Sequence, residues 1–193
     1  FSFNECQDLL SVTIPSSITS IENYAFDNCY NLINVYYNGT IEDWCSIKFG
    51  TSSYAKGVNP MEYAENFYLL DSSGNYYIPT KLEIKNNITK IDDKGCEYLK
   101  NIEEIILPET VTTVGEHAFY GCKNLKSIVL PKSLVNIGDD AFYGCDSLEN
   151  IYYNGTIEDW CNIEFNYSNH PFYVNQDYTN IRFYLLDENG EYD

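Results

Sequence analysis

Apolar residues along this chain come in short alternating bursts. In "LLSVTIP", Leu9, Val12 and Ile14 fall inward while Ser11 and Thr13 face out, the pattern of a strand with one buried face. Pro15 then removes a backbone donor and ends the strand. A second extended piece carries Ile18 and Ile21, and "NYAFDNC" turns a corner with Ala25, Phe26 and Cys29 pointing inward at helical or 3-10 spacing. The unit recurs every 23 residues, at Leu9 and Leu32 and again at Ile102, Leu125 and Leu148. One coil of this length cannot bury its own apolar side, so stacked neighbours bury it for one another. The pattern predicts a repeat solenoid of the leucine-rich type. It is right-handed, with a parallel β-sheet along one face and short helices or 3-10 turns along the rest.

A longer repeat lies over the short one. Residues 3–77 match residues 119–193 at a constant offset of 116, with 34 identities over 75 positions. The decapeptide "YYNGTIEDWC" stands unchanged at Tyr36–Cys45 and Tyr152–Cys161. It belongs to a longer variant unit, Leu32–Ile78 in one copy and from Leu148 in the other, which fills a slot of about two coils and is expected to hold a short helix and a β-hairpin. Residues 1–193 therefore read as one continuous solenoid of two sub-units, 1–78 and 79–193, with long units 32–78 and 148–193. Phe1 starts at the tail of a coil, and "ENGEYD" stops where copy one runs on into "YYIPTKLEI", as expected for part of a longer array.

The coils "LKSIVLPKSLVNIGDDAFYGCDS" and "LLSVTIPSSITSIENYAFDNCYN" resemble BspA-type leucine-rich repeats, and "YYNGTIEDWCNI" with the "FYLLDENG" hairpin is similar to the longer unit that interrupts them. The signature P-x-x-I/V-x-x-I-x-x-x-A-F-x-x-C carries the resemblance. Departures occur at Lys85, where Pro is expected, and at "KGCEY", where Cys96 takes the Phe position and Leu99 the Cys position. The resemblance implies secreted or surface-anchored proteins concerned with adhesion, and no catalytic residues.

The candidate chemistry reads as scaffold. Within the decapeptide, Thr40 precedes Asp43 at capping-box spacing, Glu42 and Asp43 sit where the helix dipole favours negative charge, and Ile41, Trp44 and Cys45 share one helix face. Asn38-Gly39 supplies the turn before the helix. The seven cysteines include no CxxC pair, and those in neighbouring coils stack too far apart for a disulfide, so free core thiols are expected. "DSSGNYY" and "DENGEYD" miss calcium-loop spacing and read as hairpin turns. No catalytic residue, metal ligand or cofactor site is assigned, and the chain is read as a non-enzyme.

Charge narrows the partners. Eleven Lys and Arg against 29 Asp and Glu give a net charge of -18, which disfavours nucleic acid and anionic membranes, and no apolar stretch is long enough for membrane insertion. Binding is expected on outward sheet positions, Asn34 and Tyr36 with Asn150 and Tyr152. It is also expected on the loops where the copies diverge, Gly50–Gly57 with Tyr54, and Asn166–Tyr173 with His170, Phe172 and Tyr173. The expected function is an extracellular, secreted or cell-surface scaffold adhering to a host or matrix protein. The alternatives are a glycan-binding module and a spacer displaying other domains.

Overall fold

The computed structural model describes residues 2–50, 58–85, 87–165, 181–186 and 191–192. In chain order the elements are β1 (Ser11–Ile14), β2 (Ser20–Ile21), β3 (Asn34–Tyr37), α1 (Ile41–Cys45), β4 (Lys48–Phe49), β5 (Asn66–Leu70), β6 (Tyr76–Tyr77), β7 (Lys81–Glu83) and β8 (Lys90–Ile91). There follow β9 (Glu104–Ile106), β10 (Thr113–Val114), β11 (Ser127–Leu130), β12 (Asn136–Ile137), β13 (Asn150–Tyr153), α2 (Ile157–Cys161), β14 (Glu164–Phe165) and β15 (Arg182–Leu185). A 3-10 turn, Pro60–Glu62, precedes β5.

Each 23-residue coil gives one main strand and one two-residue strand. The main strands form two sheets in chain order, β1-β3-β5-β6 and β7-β9-β11-β13-β15, and every pair is parallel except β5-β6. The short strands β8, β10, β12 and β14 form a second parallel ladder. Register follows the repeat: Ile105 lies between Leu82 and Ile128, and Ile151 pairs Ile128 on one side and Phe183 on the other. Like residues thus stack on like in one continuous core, which is how coils without a private core become stable. The chain is a leucine-rich-repeat solenoid.

The corners depart from expectation. Ala118, Phe119 and Cys122 point into the core, but the corner is a run of hydrogen-bonded turns without helix or 3-10 assignment. Alternate amides there reach the next coil: His117 N–H donates to Asp139 O at 2.9 Å, Phe119 to Ala141 at 2.8 Å and Gly121 to Tyr143 at 2.7 Å. A helix would spend those donors on itself. Two residues per corner adopt positive φ to direct them outward, His117 and Gly121 in one coil and Asp140 and Gly144 in the next.

The long unit places the decapeptide against the coil that follows. Thr40 and Asp43 form the expected capping box, Asp43 N–H donating to Thr40 Oγ1 at 3.2 Å and Thr40 N–H to Asp43 Oδ2 at 3.1 Å. Ile41, Trp44 and Cys45 are buried together. Gly39 has no positive φ; it is glycine because a Cβ there would sit 2.7 Å from the ring of Tyr37. The β5-β6 hairpin closes the unit, its turn held by Asp71 Oδ1 accepting from the amides of Ser73 and Asn75, both at 2.8 Å.

The expectation of free core thiols fails at one pair. Cys29, Cys122 and Cys145 are free and buried, and the latter two donate to the carbonyls of Cys96 at 3.2 Å and Phe119 at 3.3 Å. Cys45 and Cys96, however, form a disulfide across 51 residues with Cα atoms 5.6 Å apart. The stacking argument holds for equivalent positions in adjacent coils. It does not reach this pair, because Cys45 comes from α1 and Cys96 from a corner slot that other coils fill with Phe. The Cys96 departure is therefore one half of a clasp between the long unit and the next coil.

Candidate functional site

The outward side of the main sheets carries rows set by the register. Ser11, Asn34 and Asn66 lie side by side, as do Thr13, Tyr36 and Tyr68. On the second sheet Lys81, Glu104, Ser127, Asn150 and Arg182 form one row, and Glu83, Ile106, Val129, Tyr152 and Tyr184 the next. Asn34, Tyr36, Asn150 and Tyr152 thus stand on the outward face and are half-buried. Tyr54, His170, Phe172 and Tyr173 lie outside the described residues, as do the divergent loops beyond Gly50.

Each outward Tyr gathers two more rings. Tyr36 stacks on Tyr68 with centroids 4.6 Å apart and an interplanar angle of 16°, and Tyr76 from the hairpin meets it at 4.8 Å and 62°. In the second copy Tyr152 stacks on Tyr184 at 4.9 Å and 13°, with Tyr192 at 4.9 Å and 58°. The hairpin ring is tied down by its hydroxyl, Tyr76 donating to Asn38 Oδ1 and Tyr192 to Asn154 Oδ1. Asn66 Nδ2 donates to Asn34 Oδ1 at 3.0 Å beside the first cluster, and Asn154 Nδ2 to Glu109 Oε1 at 2.7 Å beside the second. Burial, with Glu109 and Tyr152 adding to it, raises the pKa of Tyr192, so the hydroxyl stays a donor.

Two groups of three tyrosines and an asparagine are therefore repeated at the 116-residue offset, on the exposed side of a rigid sheet. Sequence reasoning found one member of each. It missed Tyr68, Tyr76, Tyr184 and Tyr192 because the step from β3 to β5 is 32 residues, so the 23-residue period does not bring them into line. The available signal was the module offset itself, which pairs Tyr68 with Tyr184 and Tyr76 with Tyr192.

Two further arrangements escaped the sequence. Glu97 is buried beside the long unit, where desolvation pushes its pKa up to about 8, Lys94 opposing the rise and Glu62 adding to it. Glu42, in the first helical turn as the sequence indicates, is buried and accepts the Lys85 amide at 3.0 Å through Oε1.

A family profile described as "BspA type Leucine rich repeat region" matches residues 1–68 and 75–187 in 6 copies. The chain belongs to the BspA-type leucine-rich repeat family. No curated protein sequence matches this BspA-type chain. Among solved structures it is similar to a leucine-rich repeat protein of T. pallidum, at 19% identity and TM-score 0.41, covering 75% of this chain and 58% of that one. It is also similar to a leucine-rich repeat protein of Eubacterium ventriosum, at 23% identity and TM-score 0.45, covering 76% and 37%. A leucine-rich cell surface protein of Faecalibacterium prausnitzii matches at 18% identity and TM-score 0.32, covering 87% and 66%. The matched region thus spans from about a third to two thirds of the length of these proteins. Among the described residues no helix is long and apolar enough to cross a membrane.

Proposed function

We propose that this BspA-type chain is a non-catalytic scaffold, secreted or displayed at a cell surface, that adheres to a host or matrix protein through the outward sheet face. The duplicated tyrosine clusters carry the reading. Tyrosine offers large contact area at low entropic cost and a hydroxyl for hydrogen bonding, which suits it to anchor a protein interface. Placement on the sheet fixes the rings before a partner arrives, which lowers the ordering cost of binding. The Cys45–Cys96 disulfide supports a location outside a reducing cytosol.

The ring arrangement favours a protein partner over a sugar. Stacking on a pyranose needs an open ring face, and here Tyr36 and Tyr152 already stack on Tyr68 and Tyr184 and are met by the hairpin tyrosines. The test is binding of the immobilised chain to a panel of matrix and host-surface proteins, set beside a glycan array. Replacing Tyr76 and Tyr192 together by Ser should weaken the protein interaction by about tenfold or more, because each removes an exposed anchor. Glycan binding without protein binding, or a protein interaction indifferent to the double substitution, would overturn the proposal.

A further inference from the structure

The two copies of the decapeptide share a fold but not a cover. Both helices carry the same capping box, and β13-β15 keeps the register of β3-β5. Yet Ile41 is 8% exposed and Ile157 55%, Phe67 1% and Phe183 37%. Cys45 is buried in a disulfide, while Cys161 is exposed and free; Glu42 is buried, while Glu158 is exposed.

What covers the first copy is the coil Pro79–Asn101. Its Lys85 amide donates to Glu42 Oε1 at 3.0 Å, its Asp92 amide to Cys45 O at 3.3 Å, and its Asn101 Oδ1 accepts from the Phe67 amide at 3.4 Å. Gly95 permits the approach, since a Cβ there would lie 2.8 Å from Cys45 O. Cys96 then closes the contact covalently. Apolar cover, a buried carboxylate, a carbonyl and a thiol thus meet one coil.

We propose that the end face of Ile157, Glu158, Cys161 and Phe183 is a docking and cross-linking site for one leucine-rich coil of the Pro79–Asn101 kind. Such a coil carries Gly followed by Cys where other coils carry Ala followed by Phe. Its apolar side covers Ile157 and Phe183, one of its amides meets the Glu158 carboxylate, and its thiol pairs with Cys161. With glutathione disulfide as oxidant, the Cys161 thiolate attacks one glutathione sulfur and expels the first glutathione thiolate. The coil's thiolate then attacks the Cys161 sulfur of the mixed disulfide and expels the second. The two protons released from the protein thiols go to the two glutathiones, so the coil and Cys161 are oxidised and one glutathione disulfide is reduced. A coil with Phe in that slot supplies no thiol and cannot close the bond.

The test is the chain lengthened after Asp193 by a second copy of residues 78–124, which continues the module in register and gives the docked coil its own cover. After oxidation by glutathione disulfide, a non-reducing peptide map should join Cys161 to the added copy of Cys96, not to the added copy of Cys122, and retain Cys45–Cys96. Before oxidation, alkylation of Cys161 should be slower than in the 193-residue chain by about tenfold or more, as expected of a thiol reached only by local opening. Replacing the added copy of Cys96 by Ser separates docking from cross-linking: Cys161 should still be protected by burial alone. The proposal is overturned if Cys161 reacts in that variant as fast as in the unextended chain, or if it pairs only with glutathione or with Cys6 in the lengthened one.

Discussion

At the scale of single residues, the decisive contacts surround the ring that ends the first strand of each long unit. Tyr37 and Tyr153 are fully buried, lie over Gly39 and Gly155, and place their hydroxyls where no hydrogen-bond partner is found among the described residues. Burial first, and Asp43 second, pushes the Tyr37 pKa up to about 12. Removing an unsatisfied buried hydroxyl relieves its desolvation cost, so Tyr37→Phe should leave stability unchanged or raise it by about 1 kcal/mol. Gly39→Ala should instead cost about 1–3 kcal/mol, because the new Cβ meets a ring that packing holds in place. Urea unfolding of the two variants checks both signs, and a destabilised Tyr37→Phe would mean the hydroxyl has a partner. Glu97 adds a pH dependence. Its folded-state pKa of about 8 lies above the ordinary carboxylate value, so the native state holds the proton longer than the unfolded chain. Its contribution should therefore fall as pH rises from about 4.5 to 8, by up to about 5 kcal/mol, and Glu97→Gln should flatten that slope in a series of unfolding curves.

At the scale of elements, legibility followed the range of the signal. The capping box of α1 was readable because Thr40 and Asp43 are three residues apart and meet whatever the rest of the chain does. The strands were readable because alternation in "SVTI" is itself the burial pattern. The corner was misjudged because inward spacing of Ala, Phe and Cys fits a helical turn and a ladder of turns equally, and what decides is whether the amides bond within the coil or to the next one. The disulfide joins positions with no common period, so only the Phe-slot substitution at Cys96 hinted at it. Identical decapeptides should consequently respond differently to one change. Cys45→Ser opens a cross-link spanning 51 residues, for which chain entropy gives up to about 4 kcal/mol, whereas exposed Cys161→Ser should cost under about 0.5 kcal/mol. Thermal unfolding of both variants, with and without reductant, separates the cases: equal losses would mean that the disulfide contributes nothing.

At the scale of the whole molecule, the core is one continuous column shared from coil to coil, and surface charge runs along its length. With 29 acidic and 11 basic side chains, carboxylates outnumber cations on a structure whose coils must lie side by side. Several cations bridge neighbouring coils: Lys81 pairs with Glu104 at 3.2 Å, Lys100 with Glu65 at 3.1 Å, and Lys126 with Glu103 at 2.7 Å. Such exposed pairs contribute at most about 1 kcal/mol each and weaken as salt rises. Repulsion among the excess carboxylates is screened by the same salt, and at a net charge of -18 it is the larger sum. Raising NaCl from about 0.01 to 0.3 M shortens the screening length from about 30 Å to below 8 Å, so contacts inside one coil-to-coil pair survive while long-range repulsion does not. The midpoint of thermal unfolding should therefore rise with NaCl, most steeply at the low end. A midpoint that falls over this range would mean that the inter-coil pairs, despite their exposure, hold the stack together more strongly than the acidic surface drives it apart.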